Sequence, residues 1–78
     1  MNTVYIVTMG ESSEGRSVKA VRARLDEAII AANLLMDPQD MWVLIRDERG
    51  DRVVDEGDSI MEWNHAVDNI SIERWYIR

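Results

Sequence analysis

Residues Leu25–Met36 read LDEAIIAANLLM, and this stretch decides the fold because its apolar residues recur with the period of a helix. Asp26 and Glu27 occupy the predicted first turn, where negative charge complements the positive end of the helix dipole. Pro38 ends the helix, since the residue before a proline is pushed out of helical geometry. One stripe along this helix holds six apolar residues, at offsets 0, 3, 4, 7, 10 and 11: Leu25, Ala28, Ile29, Ala32, Leu35 and Met36.

Two further aliphatic residues of the same segment lie on its other side. At 100° per residue, Ile30 and Leu34 stand one turn apart, opposite the core stripe and next to Ala31. A pair of this kind forms a small apolar patch. Two interpretations are open: the patch is covered by a long loop or a chain end, or it is a contact for a second copy or another partner.

The segments around the helix are typical of strands. Val4–Met9 is a β-rich run that Gly10 ends, and a second, shorter strand is predicted at Val18–Arg22. Met41–Ile45, MWVLI, is wholly apolar, which predicts a central strand covered on both faces. Ile70–Ile77 is the last predicted strand. The sequence thus predicts a single α+β domain over residues 1–78, with an antiparallel sheet of four to five strands and one main helix on one face.

The region between the last two predicted strands is rich in charge and glycine. Residues 46–55 are predicted to form a hairpin that turns at Gly50, with Val53-Val54 as the return strand and residues 55–58 as a second turn. Ser59-Ile-Met-Glu62 matches the capping box of a helix N-terminus. A short helix is therefore favoured within residues 59–68, closed by Asn69, with a strand as the open alternative; the helix gives the element order β-β-α-β-β-(short helix)-β.

The formal net charge of −6 is unevenly distributed. Residues 1–25 hold four basic side chains and two acidic ones, whereas residues 26–78 hold five basic and thirteen acidic side chains. A negative field disfavours nucleic acid and anionic lipid as ligands and favours a partner with a basic surface. The alternative is that the acid only keeps the chain soluble. The predicted acidic contact face comprises Asp47, Glu48, Asp51, Asp55, Glu56 and Asp58.

Several chemistries are excluded or disfavoured by composition. The chain has no cysteine, which excludes disulfides, thiolate nucleophiles and the common structural zinc sites, and predicts a reducing, cytoplasmic location. No segment has the length and apolarity of a membrane span or a signal peptide. The acids of residues 51–58 lack the ligand spacing of an EF-hand loop. We therefore predict neither a metal nor any other cofactor.

An enzymatic function is also disfavoured. His65 is the only histidine, and a catalytic arrangement would have to bring it together with Glu62 and Asp68 in a closed pocket. The aromatic residues suggest binding instead, because tryptophan often anchors protein interfaces. Trp42 and Trp63 join Ile30 and Leu34 as candidate contacts with a partner or a second copy.

Three short motifs resemble a known group of proteins. VYIVTMGE at residues 4–11, VKAVRARLDEA at 18–28 and IERWYI at 72–77 resemble short phage and prophage proteins of unknown function. The similarity covers residues 1–36 and 70–78, while residues 41–68 depart from the pattern. The resemblance implies a protein that binds and blocks a host machine, in its sharpest version an anti-CRISPR protein occluding a nucleic-acid-binding surface. The alternative is a self-associating accessory protein without inhibitor activity.

Overall fold

The computed structural model describes residues 2–11, 15–49 and 57–77. Within these ranges the chain forms one helix and five strands, in the order β-β-α-β-β-β. The elements are β1 (Asn2–Glu11), β2 (Gly15–Arg22), α1 (Leu25–Leu35), β3 (Val43–Asp47), β4 (Ser59–His65) and β5 (Asp68–Ile77). The α+β class, the antiparallel sheet and the single main helix are as predicted. The described helix is too short to cross a membrane.

The strands form one antiparallel sheet in the order β2-β1-β5-β4-β3. Its centre is β5, which pairs with β1 from Asn2↔Ile77 to Gly10↔Asn69 and with β4 on its other side. The chain leaves one edge of the sheet after β2, passes through α1, and re-enters at the opposite edge as β3. The two edges of the sheet, as far as its strands are described, are therefore β2 and β3.

The prediction that residues 41–45 form a central, covered strand is wrong. β3 is an edge strand with β4 as its one neighbour in the described sheet, and Val43, Leu44 and Ile45 are 57%, 44% and 52% exposed. The physical reason is the crossing connection, which delivers the chain to the far edge. Apolar composition alone does not show how many neighbours a strand has.

The core lies between α1 and one face of the sheet. Strand register places Val7 opposite Ile72, Ile72 opposite Met61, and Ile70 opposite Trp63, so these side chains share a face. The helix contributes Ala28 and Ala32, which are fully buried and let α1 approach the sheet closely, and the rest of the predicted stripe packs around them. The partly buried members of that stripe are Leu25, Ile29, Leu35 and Met36.

The predicted short helix within residues 59–68 is also wrong, because this segment is strand β4 followed by a turn. Ser59 pairs with Glu73 in the sheet and does not cap a helix. Met61 and Trp63 alternate into the core, and a register shift next to Ile60 leaves that residue buried too. Pairing with β5 and burial of three large side chains outweigh a local capping pattern. Asn69 lies in β5, and the predicted return strand Val53-Val54 lies outside the described residues.

The turn between β4 and β5 contains a residue in a strained conformation. Ala66 has φ of 52°, in the left-handed region that favours glycine. We expect Ala66→Gly to raise the free energy of unfolding by about 0.5–1 kcal/mol, because relief of this strain exceeds the added chain entropy of glycine. Urea unfolding measures the change. Ala23→Gly is the control, since Ala23 lacks a positive φ and the same exchange should destabilise there; a loss of stability in both variants would contradict the prediction.

Candidate functional site

The outer surface of α1 carries exposed apolar side chains. Ile30 is 60% exposed and Leu34 is 82% exposed, one helical turn apart. Beside them lies a groove of about 210 Å³, which we call the helix groove. It forms where the end of β2 meets the outer face of α1, because two residues connect the strand to the helix. The groove is lined by Arg22, Glu27, Ile30, Ala31 and Leu34.

The helix groove holds one basic and one acidic side chain. Arg22 donates a hydrogen bond from Nη1 to the carbonyl oxygen of Val21, at 2.9 Å. Next to Glu27, Asp26 forms an ion pair with Arg24 at 3.0 Å, and the hydrogen bond from Arg24 lowers the pKa of the Asp26 carboxyl. Within the described ranges, no ion pair joins Arg22 or Glu27 to another side chain. Both charges are therefore available to a ligand of the groove.

The predicted acidic face is only partly described. Arg49 donates to both carboxylate oxygens of Asp47, at 2.8 and 2.7 Å, and these hydrogen bonds lower the pKa of Asp47. Glu48 lies 3.9 Å from the guanidinium of Arg46. Two members of the predicted face are thus occupied by neighbouring arginines. Asp58 is exposed, while Asp51, Asp55 and Glu56 lie outside the described residues.

The two candidate tryptophans are not free surface residues. Trp63 is 8% exposed and belongs to the core, so little of its side chain is open to a partner. Trp42 is half-buried against the same core, with its ring centroid 5.4 Å from that of His65. Among the described residues, the Trp42 Nε1 group has no hydrogen-bond partner. Of the four predicted contacts, Ile30 and Leu34 are the ones that present most of their side chains to solvent.

His65, Glu62 and Asp68, the residues of a conceivable catalytic site, do not form one hydrogen-bonded group. His65 places Nε2 3.7 Å from the carboxylate of Asp40, whereas Glu62 accepts a hydrogen bond from Arg46 at 3.1 Å. Asp68 faces His65 across the β4–β5 turn as its strand partner. In the part of the chain that the structure describes, no group of three histidine or carboxylate side chains is arranged to hold a metal ion.

A polar cluster on the sheet face opposite α1 was missed by the sequence analysis. The hydroxyls of Thr8 and Ser71 share a hydrogen bond of 2.8 Å and are 5% and 2% exposed. Arg16 donates from Nη1 to both hydroxyls, at 2.6 and 3.1 Å, and from Nη2 to Asn69. This cluster joins β2, β1 and β5, and its guanidinium is held by three partners. We assign it a structural role, because satisfied buried polar groups fix strand register.

Comparison with known proteins gives no match: neither a protein-family model, nor a curated relative, nor a solved structure matches this chain.

Proposed function

We propose that this chain is a non-catalytic protein-binding module and that the helix groove is its contact surface. The observation that carries the proposal is the exposure of Ile30 and Leu34 in a groove that three apolar and two charged residues line. The inner stripe of α1 already supplies the contacts that hold the helix to the sheet. Two large aliphatic side chains on the outer face contribute nothing to that packing, and clustered exposed apolar groups are typical of interaction sites.

The composition of the groove fits protein recognition better than it fits a small polar substrate. Its apolar residues are of the kind that supply affinity when covered, while one basic and one acidic group give orientation and selectivity. No cluster of acid, base and nucleophile lies beside it among the described residues. A second protein surface with aliphatic side chains and paired charges would complement it.

A narrower form of this proposal rests on composition and resemblance. In it, the chain is a phage-encoded inhibitor that presents an acidic face to the basic surface of a host protein. Its support is the excess of acid after residue 25 and the exposure of Asp58. Since Asp47 and Glu48 lie against arginines, the three acids outside the described residues would have to carry much of that face. The version with an anti-CRISPR target stays a prediction.

The test is site-specific photocrosslinking from the helix groove. Benzoylphenylalanine is placed at position 34 and, as a matched control, at position 39, because Gln39 is also exposed but lies beyond the end of α1. Each variant is irradiated in extract of the organism that encodes the chain. We expect protein adducts, to any polypeptide including another copy of the chain, from position 34 and few from position 39. Equal yields at the two positions, or no adducts at position 34, would overturn the proposal.

A further inference from the structure

The helix groove combines features that make it complementary to itself. Arg22 and Glu27 line the same groove, together with the apolar residues Ile30, Ala31 and Leu34. We infer that the partner bound there is a second copy of this chain, docked about a two-fold axis that passes through the groove. This inference rests on the proposed function, since it names the occupant of the same surface.

The charges of the groove favour this occupant. A two-fold axis makes every contact occur twice, so an Arg22 that reaches the partner's Glu27 is matched by a second, identical ion pair. Both side chains lack an ion-pair partner among the described residues. Pairing across the axis gives Arg22 and Glu27 each an oppositely charged partner at once. An unrelated partner would have to supply an acidic and a basic side chain separately.

The apolar residues provide a surface along the helix that a second helix can cover. Glu27, Ile30, Ala31 and Leu34 fall at offsets 0, 3, 4 and 7, which is the spacing of a seam between packed helices. Ala31 is small, so it allows the backbones of two such helices to approach closely. Each copy would cover the Ile30 and Leu34 side chains of the other, and burial of these groups supplies the driving force.

The position of the groove also reduces repulsion between two acidic chains. The groove lies beside β2, and the basic residues of the first part of the chain are on or next to this strand. Among the described acidic residues, Asp47 and Glu48 lie at the end of β3, at the opposite edge of the sheet. Docking through the groove therefore keeps these two carboxylates away from the contact, which reduces their contribution to repulsion between the copies.

Charge exchange with analytical ultracentrifugation tests the inference. The wild-type chain is expected to dimerise, and Arg22→Glu and Glu27→Arg are each expected to raise the dimer dissociation constant about tenfold or more, because each places like charges across the axis. The double variant Arg22→Glu/Glu27→Arg restores opposite charges and is expected to return the constant close to the wild-type value. Lys19→Glu is the matched control: it makes the same change in net charge as Arg22→Glu, on the same strand but outside the groove, and should leave the constant within about threefold.

The outcomes separate this inference from the proposed function. Circular dichroism melts of all variants first establish that they are folded. A wild-type chain that stays monomeric at about 1 mM overturns the inference, and adducts from position 34 to other proteins would then still support the binding module. The inference is also overturned if the single exchanges leave the dimer dissociation constant unchanged, or if the double exchange does not restore it. Such a dimer uses another surface or register.

Discussion

Trp63→Ala is expected to lower the free energy of unfolding by about 3–5 kcal/mol, as truncation of a buried aromatic side chain typically does. Trp63 is 8% exposed, faces Ile70 on β5 and Leu44 on β3, and belongs to the core beneath α1. A domain of this size has a total stability of roughly 4–12 kcal/mol, so the variant should lose a large fraction of it. Urea titration followed by far-ultraviolet circular dichroism measures the change without relying on tryptophan emission.

Trp75→Ala is the matched control, because it removes the same side chain from a site that is 39% exposed. Its expected loss is about half that of Trp63→Ala or less, since less apolar surface returns to water. The pair of variants also tests the predicted role of Trp63 as an interface residue. A Trp63→Ala chain with wild-type stability but weakened self-association would show that Trp63 acts at a contact and would contradict its place in the core.

The parts of the fold that were predicted correctly are those in which local pattern and tertiary structure agree. The stripe of Leu25–Met36 predicted a helix that the structure places at Leu25–Leu35. The strands at both ends of the chain were also found, although each is longer than predicted. β1 and β5 pair with each other along nearly their whole length, and this pairing extends them into flanking residues such as Asn2 and Asn69.

The errors arose where the decisive information is non-local. Val43–Ile45 is as apolar as a buried strand, yet its position at the sheet edge depends on the path of the chain through α1. Ser59 and Glu62 fit a helix cap, but Met61 and Trp63 fit a strand equally well, and the neighbouring β5 decides between the two. Neither the edge position of residues 43–45 nor the pairing of β4 with β5 can be deduced from one segment of the sequence taken alone.

In the candidate site too, features set by one segment could be predicted and features set by contacts between segments could not. The exposure of Ile30 and Leu34 followed from helical spacing alone, because both residues lie on one element. The contribution of Arg22 to the groove did not, since it depends on how the end of β2 sits against α1. The Thr8–Ser71 hydrogen bond joins residues 63 positions apart and has no signal in either local segment.

The second large effect is expected at Gly57, where alanine should lower the free energy of unfolding by about 2–3 kcal/mol. Gly57 has φ of 86°, and its amide donates to the carbonyl oxygen of Arg74 at 2.8 Å, which holds the backbone in place. An added Cβ would lie 2.9 Å from two ring carbons of Trp75. That ring is itself held by a hydrogen bond from Nε1 to the carboxylate of Glu73, at 3.0 Å. Strain and steric overlap therefore act together.

Two further variants separate these causes. Gly15 has φ of 74° and nothing within 4 Å of an added Cβ, so Gly15→Ala isolates the backbone strain, for which about 1–2 kcal/mol is expected. In the Trp75→Ala background the ring is absent, and Gly57→Ala should then be no more harmful than Gly15→Ala. The coupling between positions 57 and 75, read from urea unfolding of the four chains of this double-mutant cycle, should be about 1 kcal/mol. If Gly57→Ala lowers the free energy of unfolding equally with and without Trp75, the ring shifts freely and the backbone conformation alone requires the glycine. If coupling is found, the Trp75 ring is fixed in place and holds residue 57 against β5.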